Sequence, residues 1–521
     1  KLRTIVKIAI TSSVVLLCAG FALYSFFRLS AAEGKKDFNL YELVPPSASA
    51  VFVTDDILEF VAEVDDLACS KNQQYLHVSK LFSYLKQYLY TLQEEAPHGL
   101  SRQMNQMLIS FHEPDNIHNQ VLYCRLGEGD RQLIDRFVQK YVSSLYPPKT
   151  FKYKGEDITI YPMADGDFLA CYLTSDFMAL SYQKKLIETV IDAHKTGKSL
   201  ADDPIFAEAA TPKKSPAVAT IYAHLEGMMG WTEFDMKLRD DFIYFTGVCH
   251  ETDTCFTFMN VLRQQESVEG FPGEALPSTA FYFTKQGVTD WASLLSYGDM
   301  QETGVRTSDV RNRNRELSHY LMENAGQELV ACLFQREDTL QDAAAVLSLS
   351  VADVTEAERM LRAFVNTAPA DEGRKTPRIT FCYTVNKAYL VYRLPQTTLF
   401  KQLTSFVEPT LDVYAAFYGG RLLLAPDEDS LSHYIRQLDK GEVLNGAMAY
   451  QTGMDHLSDS YHFMLMADFD HVFRQSENHV RFVPDFFLRN ADFFRNFTLF
   501  VQFACTDGVV YPNIVLKYKS E

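Results

Sequence analysis

The sequence predicts an α+β protein: an N-terminal transmembrane helix followed by two homologous halves of mainly antiparallel sheet with covering helices. Three observations predict it. An uncharged run of twenty residues lies near the N-terminus, short alternating strands rich in Phe, Tyr, Val and Thr recur between tight polar turns, and one order of elements occurs twice. The 521 residues are 47% hydrophobic and 22% charged, which excludes wholesale disorder and allows more than one domain.

The first element is the anchor. Lys1, Arg3 and Lys7 precede the uncharged run Ile8 to Phe27, which Arg28 closes. At about 1.5 Å per residue, twenty residues span the roughly 30 Å hydrocarbon core. The basic flank predicts a cytoplasmic N-terminus, with the body on the far side of the membrane. The run is longer than the h-region of a cleaved signal, although Ser30-Ala31-Ala32 resembles a cleavage site. Residues 1–28 are thus the anchor, in contact with the lipid bilayer through 8–27, and 29–39 a short tether. The anchor takes four basic groups with it, leaving 45 basic against 67 acidic residues for the rest, a net charge of −22. Such a body stands away from anionic lipid and does not bind nucleic acid, whose phosphates require Lys and Arg.

The body divides into halves, 40–270 and 271–521. Pro46 to Thr54 and Pro277 to Thr284 open them with a strand that runs into a helical pattern. Strand–turn–strand units follow, Gln106 to Leu126 and Glu328 to Ser350, then helices over 131–144 and 355–366. The strand pairs 167–181 and 412–425 lead into helices at 184–194 and 429–438, and the pairs 242–262 and 497–518 close the halves. The stripe Leu81, Leu85, Tyr88, Leu89 and Leu92 predicts a further helix over 79–95, packed on the sheet. Helices are expected on one face only. The second half carries an insertion around 396–410.

Motifs for chemistry are thin, and no catalytic, cofactor or metal-binding residue is assigned. There is no nucleophile elbow, Walker loop or dinucleotide fingerprint. Gly197-Lys198-Ser199 reads as a helix end, and Asp427-Glu428-Asp429 as the cap of the helix that follows. Cys249 and Cys255 are expected on either side of a turn. A cross-strand disulfide, a zinc site with His250 and unpaired strand thiols are the three options. Arg311, Arg313 and Arg315 form one basic run, a solvated face or a docking patch for an acidic partner. Phe486, Phe487, Phe493 and Phe494 concentrate apolar rings, either as helix packing or as a groove for a lipid ligand or an unfolded chain.

Ala179-Leu180-Ser181, the helix that follows, and Ser199-Leu200-x-x-Asp203-x-x-Phe206 before the strand at Ala217 carry a resemblance. With the anchor and the duplicated acidic body, the chain resembles a group of uncharacterised single-pass envelope proteins of Bacteroidetes-type bacteria. The second half departs from that pattern, with Glu442-Val443-Leu444-Asn445 in place of the Ser-Leu element. The resemblance implies a periplasmic location and brings no catalytic residues. The expected function is therefore a non-enzymatic, membrane-anchored periplasmic scaffold or accessory protein that binds other envelope proteins. A carrier or chaperone holding lipid or apolar polypeptide between the halves is the alternative, and a hydrolase with an unrecognised site the third reading.

Overall fold

The structure is a computed structural model. It describes residues 38–519 apart from 73–101 (of which 91 and 94 are described), 113–115, 117, 128, 139, 141–146, 164–165, 212–216, 253–256, 302–306, 337–342, 368–376, 386, 396, 405–411 and 476–484. The expected anchor over 8–27, most of the tether and nearly all of the helix over 79–95 lie outside the described residues. Among the described residues no helix is long and apolar enough to cross a membrane. The chain divides into two compact units, Lys1–Leu58 with Ser79–Asp203 and Glu59–Val78 with Pro204–Glu521.

Among the described residues the first unit carries seven strands: β1 (Ala50–Thr54), β2 (Met107–Phe111), β3 (Gln120–Arg125), β4 (Lys149–Tyr153), β5 (Glu156–Pro162), β6 (Phe168–Leu173) and β7 (Phe177–Ser181). They pair antiparallel in the order β1-β2-β3-β7-β6-β5-β4. Its longer helices among the described residues are α1 (Asp130–Phe137) and α2 (Lys184–Thr196). Ile187, Val190 and Ile191 give α2 a buried stripe at spacings of three and four, and α2 packs on β6 and β7. Gly197 ends the helix in a left-handed conformation (φ 67°), donating its N–H to the Ala193 carbonyl at 2.9 Å.

The second unit carries β8 (Ala219–Leu225), β9 (Met229–Arg239), β10 (Phe242–His250), β11 (Val268–Glu269), β12 (Ala280–Gly287), β13 (Ala325–Gln335), β14 (Ala343–Val351) and β15 (Ile379–Tyr383). The remaining strands are β16 (Ala388–Pro395), β17 (Asp412–Tyr418), β18 (Arg421–Ala425), β19 (Ser460–Tyr461), β20 (Phe463–Asp468), β21 (Phe497–Thr506) and β22 (Val509–Tyr518). All except the small β11–β19 pair join one antiparallel sheet, in the order β8-β9-β10-β22-β21-β20-β12-β13-β14-β18-β17-β16-β15. From β12 to β15 this order and sense repeat those of β1 to β4 in the first unit. Local contacts repeat as well. The Leu200 N–H donates to the Val44 carbonyl (2.8 Å) and the Leu444 N–H to the Leu276 carbonyl (2.9 Å), each where a short 3-10 turn begins. Edge strands β4 and β15 share Thr-Phe-x-Tyr, at Thr150-Phe151-x-Tyr153 and Thr380-Phe381-x-Tyr383.

Helices of the second unit include α3 (Phe258–Arg263), α4 (Trp291–Gln301), α5 (Ser308–Asn324), α6 (Val354–Thr367), α7 (Leu399–Thr404), α8 (Glu428–Asp439), α9 (Phe469–Phe473), α10 (Asp485–Arg489) and α11 (Ala491–Phe494). They cover both faces of the sheet, not one. Along β14, Ala343, Ala345, Leu347 and Leu349 enter a core with Leu294 of α4, Leu317 and Tyr320 of α5 and Leu361 of α6. Ala344 and Val346 enter a second core with Leu431, Tyr434 and Ile435 of α8. Successive strand residues face opposite sides, so the unbroken apolar run from Ala343 to Leu347 is what a strand covered on both faces requires. Asp427 caps α8, Oδ1 accepting from the Ser430 N–H at 2.7 Å.

The closing strand pair of the first half is β9–β10, turning at Asp240-Asp241, and not a hairpin across 242–262. After β10 the next described element is helix α3. The Thr257 hydroxyl oxygen accepts from the Asn260 N–H (3.1 Å) to cap it, and Met259 and Leu262, three residues apart, take its buried face.

Candidate functional site

The basic run lies on α5. Thr307 caps the helix, its hydroxyl oxygen accepting from the Val310 N–H at 3.4 Å. Val310, Leu317, Tyr320 and Leu321 form the buried stripe, and Asn314 stands within it, 6% exposed. A buried amide costs free energy unless its hydrogen bonds are made. Here Asn314 Nδ2 donates to Thr398 Oγ1 (2.8 Å), while its Oδ1 accepts from Thr397 Oγ1 (2.8 Å) and the Thr398 N–H (3.1 Å). Those threonines precede α7, so one side chain ties α7 to α5.

On the other side α7 meets α4 at a glycine. A Cβ on Gly298 would stand 2.4 Å from the Gln402 carbonyl oxygen, so only glycine permits this approach. Gln402 Nε2 donates to Asp299 Oδ1 at 2.7 Å. The three helices thus enclose an open cleft of about 580 Å³, walled by Ser296 and Asp299 of α4, Arg311, Arg315 and Ser318 of α5, and Gln402 of α7.

Helical geometry sorts the three arginines. Residues four apart share a face and residues two apart do not. Arg311 and Arg315 line the cleft; Arg313 turns away, stacks its guanidinium 5.0 Å from the Phe364 ring centre and pairs with Glu316 at 3.1 Å. Arg315 donates to Asn312 Oδ1 (3.1 Å), and neither Arg311 nor Arg315 has an ion pair among the described residues. The insertion expected around 396–410 supplies α7, hence one wall. Alternating residue types around Arg311 gave no sign that only two of the three arginines would converge.

A serine–histidine contact in the first unit was missed by motif reading. Ser47 Oγ lies 3.1 Å from His112 Nδ1, His112 Nε2 lies 2.8 Å from Ser110 Oγ, and Ser110 Oγ lies 3.1 Å from the Tyr123 hydroxyl. Burial pulls the imidazole down to about 4. A base that weak takes a serine proton poorly at neutral pH. The chain of contacts instead ties the segment before β1 to β2.

The other candidate residues that the structure describes are packed. Cys249 is buried in β10, its thiol pushed up to about 11 chiefly by desolvation, and Cys255 lies outside the described residues. Cys249 and Cys505 flank Val510 from the two strands beside β22. Among the described residues no group of three His, Cys, Asp or Glu could hold a metal ion. Phe494 is 2% exposed, and its ring meets Phe487 at 4.8 Å, Phe493 at 5.2 Å and Phe469 at 5.8 Å. Those three partners pack with it into the core on Phe497. The side chain of Phe486 lies outside the described residues.

Comparison with known proteins finds a similarity by sequence family. Residues 110–238, from β2 into β9, match a family described as Protein of unknown function (DUF3352). No curated protein and no solved structure matches the chain.

Proposed function

We propose that the protein is a membrane-anchored accessory protein or scaffold of the bacterial envelope. It binds other envelope proteins from the periplasm without catalysing a reaction. Its anchor is the apolar run 8–27, its halves 40–270 and 271–521 descend from one duplicated unit, and it belongs with the Bacteroidetes-type envelope group that it resembles. The repeated strand order, the paired Leu200 and Leu444 contacts and the shared Thr-Phe-x-Tyr edge support the duplication.

The observation that carries this reading is the seam at β10 and β22. Phe242 pairs with Lys517 and Cys249 with Val510, antiparallel. Adding 267 to a residue number takes the turn pair Arg239–Phe242 onto Thr506–Val509 and Thr246 onto Asn513. Thr246 pairs with Asn513, so the last strands of the two halves meet about a two-fold axis through equivalent residues. Within the second unit, strand pairing across that axis makes one continuous sheet. A continuous sheet suits a scaffold; a carrier needs an apolar chamber that opens, and Phe487, Phe493 and Phe494 are spent on the core.

The test is mass spectrometry on full-length protein, cross-linked in its native membrane and extracted in mild detergent. A stoichiometric envelope-protein companion is the expected result. Recovery as a lone monomer, or from the soluble fraction, would overturn the proposal.

A further inference from the structure

We propose that the cleft between α4, α5 and α7 docks a short acidic peptide segment of a protein partner, with Arg311 and Arg315 receiving its carboxylates; this rests on the accessory-protein reading above. Two guanidiniums on one helix face, with no ion pair among the described residues, present planar donor forks suited to carboxylates. At about 580 Å³ the cleft lies within the range of pockets that bury a molecule of many atoms, and far exceeds the space of a lone ion.

The facing wall decides between peptide and compact anion. The Asp299 carboxylate and the Gln402 amide stand there, bonded to each other. A carboxylate repels phosphate or sulfate, whereas a peptide offers acidic side chains to the arginines and backbone N–H groups to that wall. The chain's net charge of −18 does not cancel the site. At physiological salt, exposed charges beyond about 8 Å are largely screened, so the two arginines set the local field.

The cleft is also an addition to the fold. Between β5 and β6 the first half needs only the short connection 163–167; the corresponding connection between β16 and β17 spans 396–411 and contains α7. The wall is therefore not required to build the repeat, and it is fixed in advance by the Asn314 clamp and the Gly298 contact. A preformed site loses less freedom on binding.

The experiment uses full-length protein in detergent and a fluorescein-labelled octapeptide of alternating Glu and Ala, followed by fluorescence anisotropy at 50 and 150 mM NaCl. Saturable binding is expected, weaker at the higher salt. The double variant Arg311→Glu with Arg315→Glu should weaken it at least tenfold, and Ser318→Trp should block it sterically without changing charge. Arg313→Lys, on the other face, should leave it unchanged. Failure of the wild type to bind, equal binding by the double variant, or displacement of the peptide by 1 mM inorganic phosphate at constant ionic strength would overturn the proposal. Loss of the pocket with the cross-linked companion retained would leave the accessory reading standing; peptide binding with no companion would support the pocket and sink that reading.

Discussion

Single residues show how polar groups are tolerated inside this fold. Asp468 ends β20 and caps α9, accepting from the Asp470 N–H at 3.1 Å, and it also contacts His471 and Lys519. Burial alone would raise its carboxyl, but the hydrogen bond from His471 and the charge and hydrogen bond of Lys519 outweigh it, holding the group at about 2. The unfolded value is about 3.9. A carboxylate depressed by folding stabilises fully above its unfolded value, and that contribution fades as pH falls toward the folded one. Two units correspond to about 2–3 kcal/mol. Asn caps a helix about as well as Asp, so Asp468→Asn isolates the charge. We expect the variant to unfold at lower urea than the wild type at pH 7, with the gap narrowing between pH 4 and pH 2.5. A gap that stays constant over that interval would contradict the assignment.

At the scale of elements, packing choices were partly legible in sequence. Strands with strict alternation and helices with clean stripes, such as 184–194 and 429–438, lie where their periodicity placed them because one face of each is buried. The strand pair expected over 242–262 was displaced because an apolar run after a turn fits strand or short helix equally, and only the Thr257 cap distinguishes them. The cleft was legible only as a basic run. Its shape depends on Asn314 and Gly298, whose partners Thr397, Thr398 and Gln402 lie more than eighty residues away along the chain. A glycine inside a helix costs about 1 kcal/mol against alanine, so on propensity alone Gly298→Ala should stabilise α4. Contact predicts the reverse. The new methyl must push the α7 backbone away, with overpacking costs of about 1–3 kcal/mol. The expected outcome is a lower urea midpoint together with weakened acidic-peptide binding. An increase in stability with binding intact would show that α7 yields at no cost.

For the whole molecule, a contact can recur where the surrounding residues differ, as Glu442 to Asn445 illustrates: Leu444 makes the contact that Leu200 makes, with different neighbours. Strand order was not legible in the sequence, since alternation fixes which face a residue takes but not which strand lies beside it. The seam is the consequence. Gly247 in β10 lets β9 approach so closely that a Cβ there would lie 1.6 Å from the Glu233 carbonyl oxygen, and β22 pairs along the other edge of β10. Phe245 of β10 packs with Phe503 and Val510 of the closing hairpin in one core. Backbone pairing and shared apolar burial both join β10 to the closing hairpin, so that seam should not be a line of weakness. Regions that open independently exchange their amide hydrogens early, and elements of one cooperative unit exchange together. Hydrogen exchange in dilute urea should therefore find β9, β10, β21 and β22 in the same slowest class, with the Thr246 and Asn513 regions losing protection at the same denaturant concentration. Early exchange of β8 to β10 while β20 to β22 stay protected would mean that the two sides of the seam unfold separately, and the continuous sheet could not serve as a platform there.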